Sequence, residues 1–331
     1  MIVKCITMQK DENNTLLPWI KYHGYLFGFE NIVVFDNGST IQSVIDNLLL
    51  LESVGGTVIW GYRDSQHFHD KGDIIARFIK NLDESGEEYD FAFPMDADEF
   101  LGVCSNGNIL ANKNSIHSHL ERLDRLEGPF RITMDLFNIV NSPGWYWPQP
   151  SGKVFVRKDT LKKLDHGFHF CETVLGSTEI NTQFIYFHYH HKPYNDFIRG
   201  AYNKLAPFVD INDSEALKNF QGPGGHLLGR LTEGESWFNQ RLSKALRVYV
   251  PDIPHILGML GLENPLFSCR EADQAVPAMA VADSADDEGV VREYKIFDAK
   301  KYLANWPHIA ADGIDPFRHY VYFGYNEGLS L

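Results

Sequence analysis

The chain has 331 residues, 44% of them hydrophobic and 22% charged, with a formal net charge of -14. That length allows one large α/β domain with a small appendage, and the acidic balance argues against nucleic acid as a partner, because phosphate-backbone binding draws on clustered Lys and Arg. A nucleotide ligand is still allowed, since one divalent cation and a few basic side chains neutralise a diphosphate locally. Cys5, Cys104, Cys171 and Cys269 are scattered with no Cys-x-x-Cys pair, as expected of reduced thiols in a cytoplasmic protein. No stretch reaches the roughly 18 apolar residues of a membrane span, and the first apolar run is too short for a signal-peptide core. Neither a transmembrane segment nor a secretory leader is therefore expected, and peripheral attachment is the one membrane role left open.

Residues 2–7 form a short, β-branched apolar run, the pattern of a strand buried on both faces. Residues 16–27 carry Leu16, Trp19, Ile20 and Phe27 at helical spacing, with Thr15 where an N-cap would stand. A second strand over 31–35 ends at Asp36-Asn37-Gly38-Ser39. A helix over 44–51 is stopped by Gly55-Gly56, and a third strand covers 57–60. After a helix over 72–82, a fourth strand, 91–95, runs into Asp96-Ala97-Asp98-Glu99-Phe100. Alternation at this spacing predicts an α/β fold: a Rossmann-like, mostly parallel sheet flanked by helices, with right-handed crossovers.

Ligands of such sheets bind beyond the carboxyl ends of the strands. Three polar segments converge on that edge: 9–13, 36–40 and 96–99. Beyond them, residues 129–147 turn aromatic, and Trp145-Tyr146-Trp147 reads either as core or as a platform on which a sugar stacks. A strand over 153–157 precedes a histidine-rich stretch with His166, His169, His188, His190 and His191. The expected division is an α/β domain over 1–270, a linker rich in Ala, Asp and Glu over 271–292, and a small helical module over 293–331.

Three carboxylates in four positions at the end of an apolar strand raise one another's pKa. A hard cation such as Mn²⁺ or Mg²⁺ resolves the conflict, because it prefers oxygen ligands and keeps positions for phosphate oxygens. The plain alternative is an acidic surface turn. Asp36 can accept hydrogen bonds from a ribose or base, or belong to an ordinary turn in which Gly38 supplies the tight bend and Ser39 or Thr40 caps the next helix. His188 suits Mn²⁺ as a further ligand and Lys192 suits a diphosphate. Zinc is disfavoured, since no second His or Cys stands at the spacing of a helical zinc motif.

With these residues assembled, the chain resembles bacterial family-2-like glycosyltransferases of the GT-A fold, related to the family-92 enzymes. The resemblance is carried by Gln9-Lys10-Asp11-Glu12, Trp19-Ile20-Lys21-Tyr22-His23, Gly28-Phe29, Asp36-Asn37-Gly38-Ser39 and Asp96-Ala97-Asp98-Glu99-Phe100. Further along, Lys153-Val154-Phe155-Val156-Arg157, the His166/His169 pair, and His188 through Lys192, Phe197, Arg199 and Gly200 also fit. It implies an inverting transfer from a nucleoside-diphosphate sugar, with UDP-sugar the first choice, to a carbohydrate or glycolipid acceptor in polysaccharide assembly. By the same resemblance Asp96, Asp98 and His188 hold the metal, and Glu12, Asp36, Lys153 and Lys192 line the donor site.

Two departures touch the nucleoside contacts: Ile41-Gln42 stand where relatives usually carry a second Asp, and Asp11 replaces the usual Asn. The general base is not named by the sequence. Glu172 and His169 are candidates from their place between the Lys153 strand and the His188 segment, with Asp135 a third. Two rival readings are a nucleotidyltransferase, which usually brings a Gly-rich basic loop that 9–14 lacks, and a non-catalytic carbohydrate- or nucleotide-binding protein on the same fold.

Overall fold

The computed structural model describes residues 1–265 and 298–324, apart from 106–107, 127, 141, 206–207, 223–224, 233, 235–245 and 312–314. The expected linker over 271–292 lies outside the described residues.

The first strand, β1 (Val3–Gln9), is buried along its whole length. Its side chains divide by parity: Val3 and Cys5 enter one hydrophobic cluster, Ile6 and Met8 another. The same split recurs in β2 (Ile32–Asp36), where Ile32 and Val34 face the first cluster and Val33 and Phe35 the second. Successive strand residues point to opposite faces, so a sheet covered on both sides needs apolar residues at every position. That is why these strands read as continuous apolar runs. On one face pack α1 (Leu16–Phe27) and α2 (Gln42–Ser53); on the other lies α4 (Lys71–Ser85), entered through the short α3 (Ser65–His69).

With β3 (Thr57–Ile59) and β4 (Phe91–Pro94), the strand order at this end of the sheet is β3-β2-β1-β4, all parallel. The second half is mixed. It contains β5 (Glu99–Ser105), β6 (Asn108–Leu110), β7 (Phe130–Asn138), β8 (Trp145–Arg157), the two-residue β11 (Ile180–Asn181) beside β7, and β12 (Phe184–His188), and the order continues β4-β8-β7-β12-β5-β6. Between β5 and β7, α5 (Lys113–Arg122) covers the first face. Phe93 stacks on Phe155 with centroids 4.0 Å apart, and Phe155 on Phe130 at 5.1 Å, which joins the two halves across β4, β8 and β7. A separate hairpin of β9 (Leu161–Leu164) and β10 (Cys171–Thr173) packs on α4 through Leu161, Leu164 and Cys171. The α/β class expected from the sequence is the one observed.

Two local expectations change. Thr15 already has helical backbone angles and makes no capping bond to α1; its hydroxyl donates to Glu12 at 3.3 Å. Pro18, at the third helical position, has no N–H for a cap to satisfy. At α2, neither Ser39 nor Thr40 is the cap. The Asp11 carboxylate, reaching across from the loop after β1, accepts the Thr40 amide at 2.7 Å and the Ile41 amide at 2.9 Å. Asp11 adopts a left-handed φ of 55°, which Asp tolerates better than most residues.

Near the C-terminus, α6 (Ala299–Asn305), α7 (His308–Ala311) and α8 (Pro316–His319) place Tyr302, Ile309 and Phe317 in the first cluster, so these helices share the main core. Asp298 caps α6 and Asp315 caps α8. Among the described residues, no helix is long and apolar enough to cross a membrane.

His23 of α1 is fully buried between Trp19 and β5. Its Nδ1 lies 3.0 Å from the Trp19 carbonyl, and its Nε2 accepts the Leu101 amide at 3.4 Å. Burial holds its pKa down at about 3. Between pH 6.5 and that value the unfolded chain binds a proton that the folded chain refuses, so stability falls as pH drops. Denaturant titrations from pH 7 to pH 4 should show this loss, about 3 kcal/mol by pH 4 from His23 alone. The loss should be missing from His23→Gln; an unchanged slope in that variant would assign the acid sensitivity elsewhere.

Candidate active site

The sheet register brings one set of strand ends together. β4 is antiparallel to β8, β8 to β7, and β7 parallel to β12, so β1, β2, β4, β7 and β12 all end at the same edge. Antiparallel to β12, β5 begins there, with Glu99 opposite His188. Gln9, Asp36, Asp96, Asp98, Glu99 and His188, scattered over 180 residues, thus meet on the carboxyl edge, where such sheets bind ligands.

The Asp96–Glu99 turn is closed from within. The Glu99 carboxylate accepts the Asp96 amide at 2.8 Å, and the Glu99 amide reaches the Asp96 carbonyl at 3.1 Å. The Asp96 side chain then meets two lysines: Lys71 Nζ at 2.8 Å from Oδ1 and Lys153 Nζ at 2.6 Å from Oδ2. Lys153 also forms an ion pair with Glu99 Oε1 at 3.1 Å. Burial would raise the pKa of Asp96, but the two ammonium groups hold it well below the usual carboxylate range. Glu99, fully enclosed, is pushed by burial up to about 7 even beside Lys153.

Both lysines are buried, and both ammonium groups sit over the Phe168 ring, Lys71 at 4.5 Å and Lys153 at 5.4 Å from its centroid. Phe168 itself has a φ of 59°. A bulky residue in that region is strained, and such strain concentrates where the surroundings over-determine the backbone. The surroundings here are tight: a Cβ at Gly72 would come within 2.4 Å of the Asp165 carbonyl oxygen. Only glycine lets the start of α4, and Lys71 with it, approach the Phe168 loop so closely.

Asp98 and His188 form the second part of the site. Asp98 Oδ1 lies 3.5 Å from His188 Nε2, and the Asp98 carbonyl accepts the Tyr189 amide at 2.8 Å. On the other side of the imidazole, Nδ1 lies 3.4 Å from Asp135 Oδ2 and 3.7 Å from Glu99 Oε1. Burial would lower the His188 pKa, yet Asp98, Asp135 and Glu99 raise it well above its ordinary value. Burial likewise opposes the ionised form of Asp98, but His188 draws its pKa down to about 2.

These residues fit a hard divalent cation. A separation of 3.5 Å is long for a hydrogen bond but close to that of two ligands each about 2.1 Å from one ion. Carboxylate oxygen with imidazole nitrogen suits a transition-metal dication such as Mn²⁺ better than Mg²⁺, which prefers oxygen ligands throughout. The ligand atoms of Glu99, Asp135 and His188 also lie within 4.8 Å of one another.

The sequence candidates are distributed as follows. Asp98 and His188 face each other, whereas both oxygens of Asp96 are engaged by lysines, because two buried ammonium groups need an anion between them. Lys153 is at the centre of that group. Glu12 and Lys192 form an ion pair at 3.2 Å. Asp36 is buried, its carboxylate accepting Gln9 Nε2 and the Gly38 and Ser39 amides, so it shapes the loop after β2. His169 is exposed next to Phe168; partial desolvation and then the Lys153 ammonium lower its pKa. The structure does not gather Glu172 into this group. It lies half exposed on β10, beside Lys162 at 3.7 Å.

Of the aromatic run, Tyr146 is core, while the Trp147 ring lies parallel to His191 at 5.9 Å. Sequence reading missed Lys71, and only its place beside the packing-critical Gly72 hints at it. It also missed the tie from Asp135 to His188, for which residue spacing carries no signal.

No family model matches the chain, and no curated protein matches it. Among solved structures it is similar to TarS of S. aureus, at 13% identity and a TM-score of 0.34, over 74% of this chain and 44% of that one. A second is TarS 1-349 in complex with UDP, at 13% and 0.33, over 73% and 72%. A third is a cytidylyltransferase from Leptospira borgpetersenii serovar Hardjo-bovis (strain JB197), at 13% and 0.24, over 41% and 53%. The matched region thus spans less than half of the TarS chain. Likenesses this distant decide nothing about chemistry, and the site's own geometry carries the functional reading.

Removing Lys153 would leave the enclosed Glu99 without its cation and Asp96 with only Lys71. Urea denaturation of Lys153→Met should show a loss of about 3–5 kcal/mol, the cost of breaking a buried pair. Lys71→Met should lose less, since Asp96 keeps Lys153 and its side chain is 32% exposed. Equal losses would contradict this ranking.

Proposed function

We propose that the chain is a glycosyltransferase that takes a sugar from a nucleoside-diphosphate donor, UDP-linked as first choice, in a cation-dependent, inverting reaction. The acceptor is a hydroxyl of a carbohydrate or glycolipid. One observation carries the reading: on a single sheet edge, a pair of buried lysines stands beside an Asp98–His188 pair spaced to share a cation. A diphosphate leaving group needs both, positive charge fixed in place and a cation with positions left open.

Each residue then has a task. Lys71, Lys153 and Lys192 orient the donor's phosphates, with Phe168 supporting the first two from below. Glu12 holds Lys192, and Asp36 braces the Asn37-Gly38-Ser39 loop against the nucleoside. Mn²⁺ or Mg²⁺ held by Asp98 and His188 would supply offsetting charge at the leaving diphosphate. His169 receives the acceptor's proton as its oxygen attacks the anomeric carbon. Desolvation and Lys153 keep its imidazole unprotonated at neutral pH, as a base requires.

A thermal-shift panel of UDP, GDP and CMP with and without Mn²⁺ tests the donor site. A nucleotide at a hundred times its Kd should add about 2.7 kcal/mol of stability, a rise of a few degrees. That rise should require Mn²⁺ and vanish in Asp98→Ala; no rise with any nucleotide would remove the support for this reading.

His169→Gln should lower turnover by about 10²-fold or more at unchanged donor KM. In the parent enzyme, turnover should persist somewhat below pH 6.5, because the His169 pKa is lowered. A variant as fast as the parent would exclude His169 as the base.

A further inference from the structure

The imidazole of His188 has carboxylates on both sides, and the two sides differ in access. On the Nδ1 side, the Glu99 and Asp135 side chains are 0% and 8% exposed; on the Nε2 side, Asp98 is 19% exposed. A neutral imidazole has one proton, so one nitrogen donates and the other offers a lone pair. The Nδ1 side faces carboxylate oxygens, Asp135 at 3.4 Å the nearer and Glu99 at 3.7 Å the farther. Asp135 Oδ2 is within reach, Asp135 Oδ1 is buried without a hydrogen-bond partner, and Glu99 Oε1 already meets Lys153 Nζ at 3.1 Å. Placing the proton on Nδ1 meets one of these buried acceptors, whereas placing it on Nε2 would turn a lone pair towards all of them. The rings of Phe137 and His190 stand nearly perpendicular to His188, at 5.0 and 5.2 Å.

We infer that Asp135 is a positioning residue, which accepts the Nδ1 proton of His188 and so leaves the Nε2 lone pair facing Asp98, where the divalent cation is held. This rests on the cation-dependent transfer proposed above and adds the residue that selects the free ring nitrogen. Register makes the arrangement: β7, β12 and β5 are neighbours, and Asp135, His188 and Glu99 share one face. The competing arrangement puts the cation on the Nδ1 side, held directly by Glu99, Asp135 and His188. That side is the more enclosed of the two, and Lys153 Nζ already stands 3.1 Å from Glu99 Oε1.

The test is Mn²⁺ titration of the full chain, with pulsed EPR to detect ¹⁴N coupling from a bound imidazole. The parent should show the coupling, His188→Gln should lack it, and Asp98→Asn should lose most Mn²⁺ binding. In Asp135→Asn, the amide can donate to Nδ1 and favour the tautomer with Nε2 protonated. That variant should bind Mn²⁺ about 10- to 100-fold more weakly and lack the coupling even at saturation, with an unchanged near-UV spectrum. Parent-like affinity and coupling in Asp135→Asn would overturn the inference. So would intact Mn²⁺ binding in Asp98→Asn alongside its loss in Asp135→Asn, which would make Asp135 a direct ligand.

An independent measurement needs no change at Asp135. Histidine ¹⁵N NMR of the Cd²⁺-loaded parent, with the His188 signal identified by its loss in His188→Gln, should show Nδ1 protonated; protonation on Nε2 would overturn the inference. UDP binding is read separately. If the metal pattern holds and no nucleotide binds, the positioning role stands and the transferase reading falls. If UDP stabilises the chain with Mn²⁺ while Asp135→Asn behaves as the parent, the positioning role falls alone.

Discussion

The structure of the candidate site depends on the buried contact between Lys153 and the turn that joins β4 to β5. Lys153 projects from β8, the strand linking the parallel half of the sheet to the mixed half, and meets Asp96 and Glu99 where the chain reverses. Charges enclosed in this way are expensive unless each finds its opposite. Lys71 completes the balance from the start of α4. The four groups therefore constrain one another, and the turn carrying Asp98 is held by them as much as by its own backbone.

From that constraint the rest of the edge follows. Glu99 closes the turn with its carboxylate and opposes His188 across β5 and β12, so a single residue ties the acidic turn to the histidine strand. Phe168, in a strained backbone conformation, gives the two lysines an apolar support that excludes water and strengthens their fields. A polar group so arranged resists rearrangement, which is what a preorganised binding site requires. Of the outer residues, Asp98 and Lys192 are partly exposed and His169 is exposed.

Much of the first hundred residues was legible because the physics there is local. Strands buried on both faces read as unbroken apolar runs, and α1 and α4 appear within a few residues of their expected spans. The caps were less legible: Pro18 removed the amide that Thr15 would have served, and Asp11 reached over from another loop to hold the Thr40 and Ile41 amides just ahead of α2. Glu99 read as the third carboxylate of a cation-binding turn, yet it begins a strand, is fully enclosed and pairs with Lys153. Glu172 read as a base candidate from its position between two motifs, but strand alternation in the β9–β10 hairpin turns Cys171 inward and Glu172 outward.

The sequence by itself determined the α/β class, the strand ends on which polar residues collect, and the candidacy of Asp98 and His188. These follow from hydrophobic period and from which residue types tolerate the end of a buried strand. Tertiary structure alone decided the partners. Lys71 and Lys153 are 82 residues apart and meet on one carboxylate; Asp135 and His188 are 53 apart and meet through adjacent parallel strands. Such pairings depend on strand order and register, which are settled by how whole faces pack against their helices, and no local pattern in the chain encodes them.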